Sequence, residues 1–253
     1  MSRVLLIDGD VLAYAAASKA EKTLEWEPGE FTVHANLEEA QANVESKLEQ
    51  FQRDLDGDLI KIAMTDSVYW RKDVLSTYKS NRAATRKPII LKQVRQWMFD
   101  VLQAVSVPTL EGDDVLGIWA THPGVKGEKI IVSIDKDMKT IPGLVYNPSK
   151  DSDPVLISEA EADRWHMMQT LAGDTTDGYS GCPGIGMKRA GDILDAAGDD
   201  AWAAVVAAFA KAKLGPDEAL VQARVARICR ASDYDSKLKK VKLWEPNPRT
   251  ATQ

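Results

Sequence analysis

The chain has 253 residues, 44% of them apolar and 28% charged, with a formal charge of −6. That balance excludes a wholly disordered polymer, and the length suffices to bury a core without staples. Two cysteines, Cys182 and Cys229, exclude a Cys-rich zinc site or disulfide framework, and no apolar run reaches the ~20 residues of a membrane-spanning helix, so a reduced, cytoplasmic setting without membrane contact is expected.

Val4-Leu5-Leu6-Ile7 reads as a buried parallel strand ending in an Asp8-Gly9-Asp10 loop. Leu37, Ala40, Val44, Leu48, Phe51 and Leu55 recur at helical spacing, with Asn36 as N-cap, and the helix stops at Asp56-Gly57. Leu59 to Met64 repeats the strand pattern and reaches Asp66; Lys129 to Ile134 repeats it again and reaches Asp135 and Asp137. A helix follows Glu111-Gly112-Asp113-Asp114. From Ser158 the pattern turns helical: a helix opens at Glu159, a Gly-rich turn spans 178 to 186, and Ala-rich helices cover 199 to 212 and 216 to 231, with Pro216 at a first helical position. The expected division is an α/β core over 1–158 and a helical region over 159–253.

Three strands sharing one ending matter because ligands of open parallel sheets bind outside the carboxyl ends of the strands. Asp8, Asp66, Asp135 and Asp137 should therefore meet Glu111, Asp113 and Asp114, and helical spacing places Asp174 and Asp177 on one face. So many carboxylates in one crevice repel each other unless cations join them. Oxygen-only ligands without His or Cys suit Mg²⁺ or Mn²⁺, which bind through a few carboxylates plus substrate phosphate. A capping or helix-charge role is the ordinary explanation of any one of these acids. Setting the whole group aside turns the formal charge positive, so the remaining surface is compatible with nucleic acid.

Between Arg71 and Lys87, the cations Arg71, Lys72, Lys79, Arg82, Arg86 and Lys87 face the single acid Asp73. Tyr69, Trp70 and Tyr78 interleave aromatics that could stack on bases beside phosphate contacts. Lys79 and Arg82, three apart, could reach one phosphate and stabilise developing charge. Gly181-Cys182-Pro183-Gly184-Ile185-Gly186-Met187-Lys188-Arg189 is not a P-loop, because Met187 stands where that loop needs Lys. It reads instead as a hairpin between helices whose N–H groups hold a DNA phosphate beside Lys188 and Arg189. Two rival readings are a haloacid-dehalogenase-like phosphatase, suggested by Asp8-Gly9-Asp10, and a non-catalytic structure-specific DNA-binding protein. Leu12 stands where the phosphatase pattern expects Thr.

Ile7-Asp8-Gly9, Tyr78-Lys79-Ser80-Asn81-Arg82, Glu111-Gly112-Asp113-Asp114, Ser133-Ile134-Asp135-Lys136-Asp137 and Gly173-Asp174-Thr175-Thr176-Asp177, followed by Pro183-Gly184-Ile185-Gly186-Met187-Lys188, occur in an order that resembles the flap-endonuclease-type 5′-nucleases. Within that superfamily the chain looks most like the small bacteriophage 5′-to-3′ exonucleases, over residues 4 to about 190. Gly112 in place of a common Ala, the extra acid Asp10 and Met138 depart from the pattern without removing a ligand.

The resemblance implies an α/β fold with a twisted, mostly parallel central sheet flanked by helices (PIN-like), a helical arch at about 69–95, and a helix-three-turn-helix element at about 172–195. It implies two divalent ions, Mg²⁺ or Mn²⁺, held by Asp8, Asp66, Glu111, Asp113, Asp114, Asp135, Asp137, Asp174 and Asp177, and K⁺ at the hairpin. Lys79 and Arg82 would be the catalytic clamps. Tyr78, Arg71, Lys72, Arg86, Gly184, Gly186, Lys188 and Arg189 would contact DNA. The implied substrate is DNA with a 5′ end, flap or nick, or an RNA–DNA hybrid, cleaved by a monomer in the cytoplasm of a host cell.

Overall fold

A computed structural model describes residues 2–198 and 200–246. In chain order the elements are β1 (Arg3–Asp8), α1 (Gly9–Lys19), β2 (Glu21–Glu27), β3 (Glu30–Ala35), α2 (Leu37–Asp54), β4 (Leu59–Met64), α3 (Arg71–Val74), α4 (Leu91–Asp100), β5 (Val105–Ser106), α5 (Gly112–Thr121), β6 (Glu128–Val132), β7 (Gly143–Tyr146), β8 (Val155–Ile157), α6 (Glu159–Ala172), α7 (Met187–Ala197), α8 (Ala201–Lys211), α9 (Pro216–Ala226), β9 (Tyr234–Asp235) and β10 (Lys240–Val241). Short 3-10 turns cover Ser80–Ala84, Lys136–Thr140 and Ala231–Asp233.

Six strands form one sheet in the order β5-β4-β1-β6-β7-β8. All pairs are parallel except β7–β8. The three strands read from the sequence are its centre, so their carboxyl ends lie side by side. Alternation along β1 divides the core: Leu5 and Ile7 pack with Val44, Leu48, Phe51, Val94 and Met98 under α1, α2 and α4. Val4 and Leu6 pack on the other face with Leu116, Met138, Ile228 and Cys229. Leu6 is fully buried, and truncating such a residue to Ala costs about 2–5 kcal/mol.

Three stretches differ from the sequence expectation. Asp8-Gly9-Asp10 is the start of α1, not a loop: Asp8 caps the helix by accepting the Val11 N–H at 3.1 Å. Gly9 lets the backbone pass the neighbouring strand, since a Cβ there would lie 2.6 Å from the Ala63 carbonyl oxygen. Second, residues 21–35 form an antiparallel hairpin, β2–β3, outside the main sheet. Third, α9 ends at Ala226 where 231 was expected, because the next residues extend to serve the core: the Cys229 N–H donates to Asp114 at 3.0 Å.

The segment expected as an arch contains α3, the 3-10 turn at 80–84 and the start of α4. The helical part packs Met167, Leu171, Ile185, Leu194, Val205 and Phe209 into its own cluster. The loop from Gly173 to Gly186 joins α6 to α7, and its strands cross so closely that a Cβ on Gly173 would lie 2.4 Å from the Ser180 carbonyl carbon. Gly173 (φ 69°) and Gly181 (φ 61°) also adopt the left-handed conformation that favours glycine.

Candidate active site

Strand ends and one helix start build the site. Asp8 ends β1, and its second oxygen accepts the Ser133 hydroxyl at 2.7 Å; Ser133 Oγ in turn accepts the Asp135 N–H at 3.0 Å. One serine beyond β6 thus ties the Asp8 carboxylate to the main chain at Asp135. Asp113, in the first turn of α5, joins them and accepts no hydrogen bond among the described residues. Burial, and then the Asp8 charge, push the Asp113 carboxyl well above the usual carboxylate range; Asp135 and Glu111 push the same way. Asp8 is raised as well, by burial first, against the Ser133 hydrogen bond that favours its charge.

Glu111 precedes Asp113 and lies under a roof of cations. Its Oε1 is 2.6 Å from Lys79 Nζ and its Oε2 is 2.6 Å from Arg71 Nη1. Lys79 takes a left-handed φ of 53°, and its N–H donates to the Asp177 carbonyl at 2.7 Å. Its ammonium also stands 3.5 Å from the Asp177 carboxylate, to which Arg82 donates as well. Asn81 donates to the Thr175 carbonyl at 2.8 Å, so residues 79–82 are fastened onto the loop at 174–177. Although burial opposes its charge, Lys79 is raised above the ordinary lysine value by Glu111, Asp177 and Asp113.

Asp137, Asp174 and Asp177 form a second group. Gln169 donates to Asp137 at 2.5 Å, and burial with the Asp135 charge pushes the Asp137 carboxyl up to about 7. Asp174 opposes burial by accepting from Lys136 at 2.9 Å and from the Thr176 N–H at 2.8 Å, which hold it below the usual range. Asp174 and Asp177 share a turn instead of a helix face, because Asp174 Oδ1 caps the N–H groups of both Thr176 and Asp177.

Two of the expected ligand acids are otherwise engaged. Asp114 is fully buried and its oxygens accept two bonds from Arg71, one from the Trp70 indole and one each from the Cys229 and Glu111 N–H groups. Arg71 holds it below the usual range despite burial. Asp66 accepts the Ser67 and Thr109 N–H groups at 2.8 and 2.9 Å and so ties the loop after β4. The extra acid Asp10 pairs with Arg95 and accepts the Thr65 N–H at 2.8 Å.

The expected DNA contacts also divide. Tyr78 is 3% exposed and its hydroxyl donates towards Asp177 at 2.9 Å, so no base can stack on it in this arrangement. Burial pushes its hydroxyl well above the ordinary tyrosine value. Arg71 is buried behind Glu111 and Asp114 and cannot meet a phosphate. Lys72 is exposed over the Tyr69 ring, and Arg86 is exposed but paired with Glu21 at 2.5 Å. Gly184, Gly186, Lys188 and Arg189 are all exposed around the start of α7.

Sequence reasoning missed Ser133, Lys136 and Gln169. The first two lie inside the Ser133-to-Asp137 motif, where a hydroxyl and an ammonium beside aspartates were a readable signal; Gln169 had none, since only the packing of α6 brings it to Asp137.

The donor chemistry fits hard divalent cations. Oxygen ligands predominate, among the described residues the Asp113 carboxylate lacks a partner, and burial first, with neighbouring negative charge second, raises the pKa of Asp8, Asp113 and Asp137. Among the described residues no three carboxylates are already closed on a common point. Glu111 is satisfied by ammonium and guanidinium groups instead.

Residues 3–148 match the family model described as 5′-3′ exonuclease, N-terminal resolvase-like domain. The chain is 32% identical to an exodeoxyribonuclease of Enterobacteria phage T3, and 31% identical to an exonuclease of Escherichia phage T7; each alignment covers 96% of this chain and 93% of the relative. Its fold is similar to that of the T5 D15 protein co-crystallised with metal ions, with a TM-score of 0.61 and 15% identity over 87% of this chain and 89% of that one.

Proposed function

The chain belongs to the 5′-3′ exonuclease family with an N-terminal resolvase-like domain, and from that membership we propose that it hydrolyses DNA phosphodiester bonds from a 5′ end, flap or nick, with a pair of Mg²⁺ or Mn²⁺ ions. One observation carries the reading: among the described residues Asp113 has no hydrogen-bond partner, and it stands with Asp8, Asp135 and Glu111, with Lys79 beside them. Asp8, Asp113 and Asp135 would hold one part of the metal load, and Asp137, Asp174 and Asp177 the other; Glu111, paired with Lys79 and Arg71, would join the first group when Lys79 turns to an entering phosphate. Asp66 and Asp114 would act by anchoring the loops that aim these groups.

Bound divalent ions lower the pKa of an attacking water and neutralise charge on the attacking and leaving oxygens. The chain's own part is positioning. Lys79 and Arg82 both rest on Asp177 and are placed to exchange that carboxylate for the oxygens of an entering phosphate. The turn before α7 offers N–H groups and the cations Lys188 and Arg189 to the duplex backbone.

The proposal extends to a nuclease core over 1–158 with a DNA-gripping region after it, to K⁺ held by hairpin carbonyls, to RNA–DNA hybrid as a further substrate, and to a monomer in the cytoplasm of a host cell. No described helix is long and apolar enough to cross a membrane. Membership in an exonuclease family over a stretch that includes Asp8 to Asp137 argues against the phosphatase reading.

A panel of 5′-labelled duplex, nicked, flapped and single-stranded DNA tests the proposal. Label release that requires Mg²⁺ or Mn²⁺ is expected, and Asp113→Asn should lower it by at least ~100-fold. Binding without cleavage of any DNA would favour the non-catalytic alternative; preferential hydrolysis of a small phosphomonoester would favour the phosphatase.

A further inference from the structure

Beside the carboxylates, a cavity of about 400 Å³ lies between the sheet edge at β7–β8 and α6. Ser133, which donates to Asp8, and Asp135 both line it, so it adjoins the acid centre. One side is apolar: Val145, Val155, Ile157, Met168 and the Trp165 ring. Lys136, Lys139 and Lys150 supply cations, and Lys139 Nζ sits 4.8 Å from the centre of the Trp165 ring. Lys136 is engaged by Asp174, whereas Lys139 and Lys150 form no ion pair among the described residues.

Two of the acids that share the lining are already engaged. Glu161 accepts from Ser158 at the start of α6, and Asp151 accepts the Asn147 N–H at 2.8 Å. Among the described residues, Trp165 Nε1 and Arg164 Nη1 are buried without a hydrogen-bond partner, although Arg164 Nη2 reaches Asp195 at 2.7 Å. The volume falls in the range of small-molecule sites, with an apolar wall and a few polar groups to orient the guest.

We propose that this cavity is a subsite for one unpaired nucleotide, a deoxynucleoside 5′-monophosphate or the terminal nucleotide of a strand. The base lies against Trp165 and the apolar wall, and the phosphate lies between Lys139 and Lys150. The inference rests on the nuclease reading, which supplies such nucleotides beside Asp135. Stacking on an indole and a phosphate between two lysines would hold released product, so the cavity makes the enzyme sensitive to its own mononucleotide product.

Calorimetric titration of the full chain with dAMP in EDTA tests this, with inorganic phosphate and deoxyadenosine as separate probes. Tighter binding of dAMP than of either fragment is expected. Lys139→Ala combined with Lys150→Ala should weaken it at least tenfold, and Met168→Trp should fill the space and abolish it. Both lysines are exposed, so the double variant keeps the test decisive if Met168→Trp does not fold. Asp113→Asn should bind dAMP as well as the parent. No dAMP binding, binding unchanged in the lysine variant, or phosphate binding as tightly as dAMP would overturn the subsite. Failure of the nuclease reading would show separately, as the absence of Mg²⁺- or Mn²⁺-dependent cleavage of any DNA by the parent chain.

Discussion

Arg71 and Asp114 form a bidentate pair, with Nη1 to Oδ2 and Nη2 to Oδ1 both 2.7 Å, and neither side chain is more than 3% exposed. The same guanidinium donates to the Val225 carbonyl at 3.0 Å and the Arg227 carbonyl at 2.6 Å, and to Glu111 at 2.6 Å. One arginine thereby joins the arch segment, the start of α5 and the end of α9. Removing one partner of such a buried pair leaves an uncompensated charge. Arg71→Ala should therefore lower stability by about 3–5 kcal/mol, read from urea unfolding. Arg71→Lys should not rescue it, because an ammonium cannot make the fork. Lys72→Ala, exposed next door, should stay within about 0.5 kcal/mol of the parent.

Asp113 should behave in the opposite way. Burial and the neighbouring acids raise its carboxyl, so at pH 8 its charge is less favourable in the folded chain than in the unfolded one. Neutralising it by Asp113→Asn should raise the melting temperature in EDTA, by roughly 2–4 °C for each kcal/mol of relief. Added Mg²⁺ should stabilise the parent more than the variant. A lower melting temperature in EDTA would show that the charge is not strained.

His166 gives a pH-dependent term. Its ring is buried, its Nε2 donates to the Ala223 carbonyl at 2.7 Å, and burial, with Arg227 and Arg230 nearby, pushes its pKa down to about 3. Below pH 6.5 the unfolded chain binds a proton that the folded chain refuses until about pH 3, so stability falls as pH falls across that window. The loss from this group should reach about 2 kcal/mol by pH 5. Denaturant unfolding at pH 7 and pH 5 should show a smaller loss in His166→Gln, which keeps a donor for Ala223 without the titration.

Lys188 and Arg189 are exposed at the first turn of α7. As phosphate contacts they should add affinity without sequence preference. Replacing both by Ala should weaken duplex binding in Ca²⁺ and reduce the slope of log affinity against log salt by about 2. An unchanged slope would place the duplex elsewhere.

The sheet centre was legible because β1, β4 and β6 share short runs rich in Ile, Leu and Val that lead to aspartates, and α2 because its apolar residues recur at helical spacing. Their endings foretold where Asp8 and Asp135 would meet. The β2–β3 hairpin was not read: both strands are largely exposed, so no buried face imposes an apolar alternation, although Pro28-Gly29 was a turn signal. The adjacent acids Asp113 and Asp114 look equivalent in sequence, yet one is raised and the other lowered in pKa. What separates them is Arg71, and a charge run gives no local sign that one of its members will be enclosed by carbonyls from α9 and the chain just beyond it. Tyr78 was misjudged for the same reason: the residues that bury it, Tyr179 and Val225 among them, are distant in the chain.

The central claim is that these carboxylates load divalent cations. Titration with Mn²⁺, counting bound ions by electron paramagnetic resonance in the absence of DNA, addresses it most directly. Uptake by the parent chain and a clear loss of bound Mn²⁺ in Asp113→Asn and Asp8→Asn are the predicted result. Equal uptake by all three proteins, or none by the parent, would contradict the account.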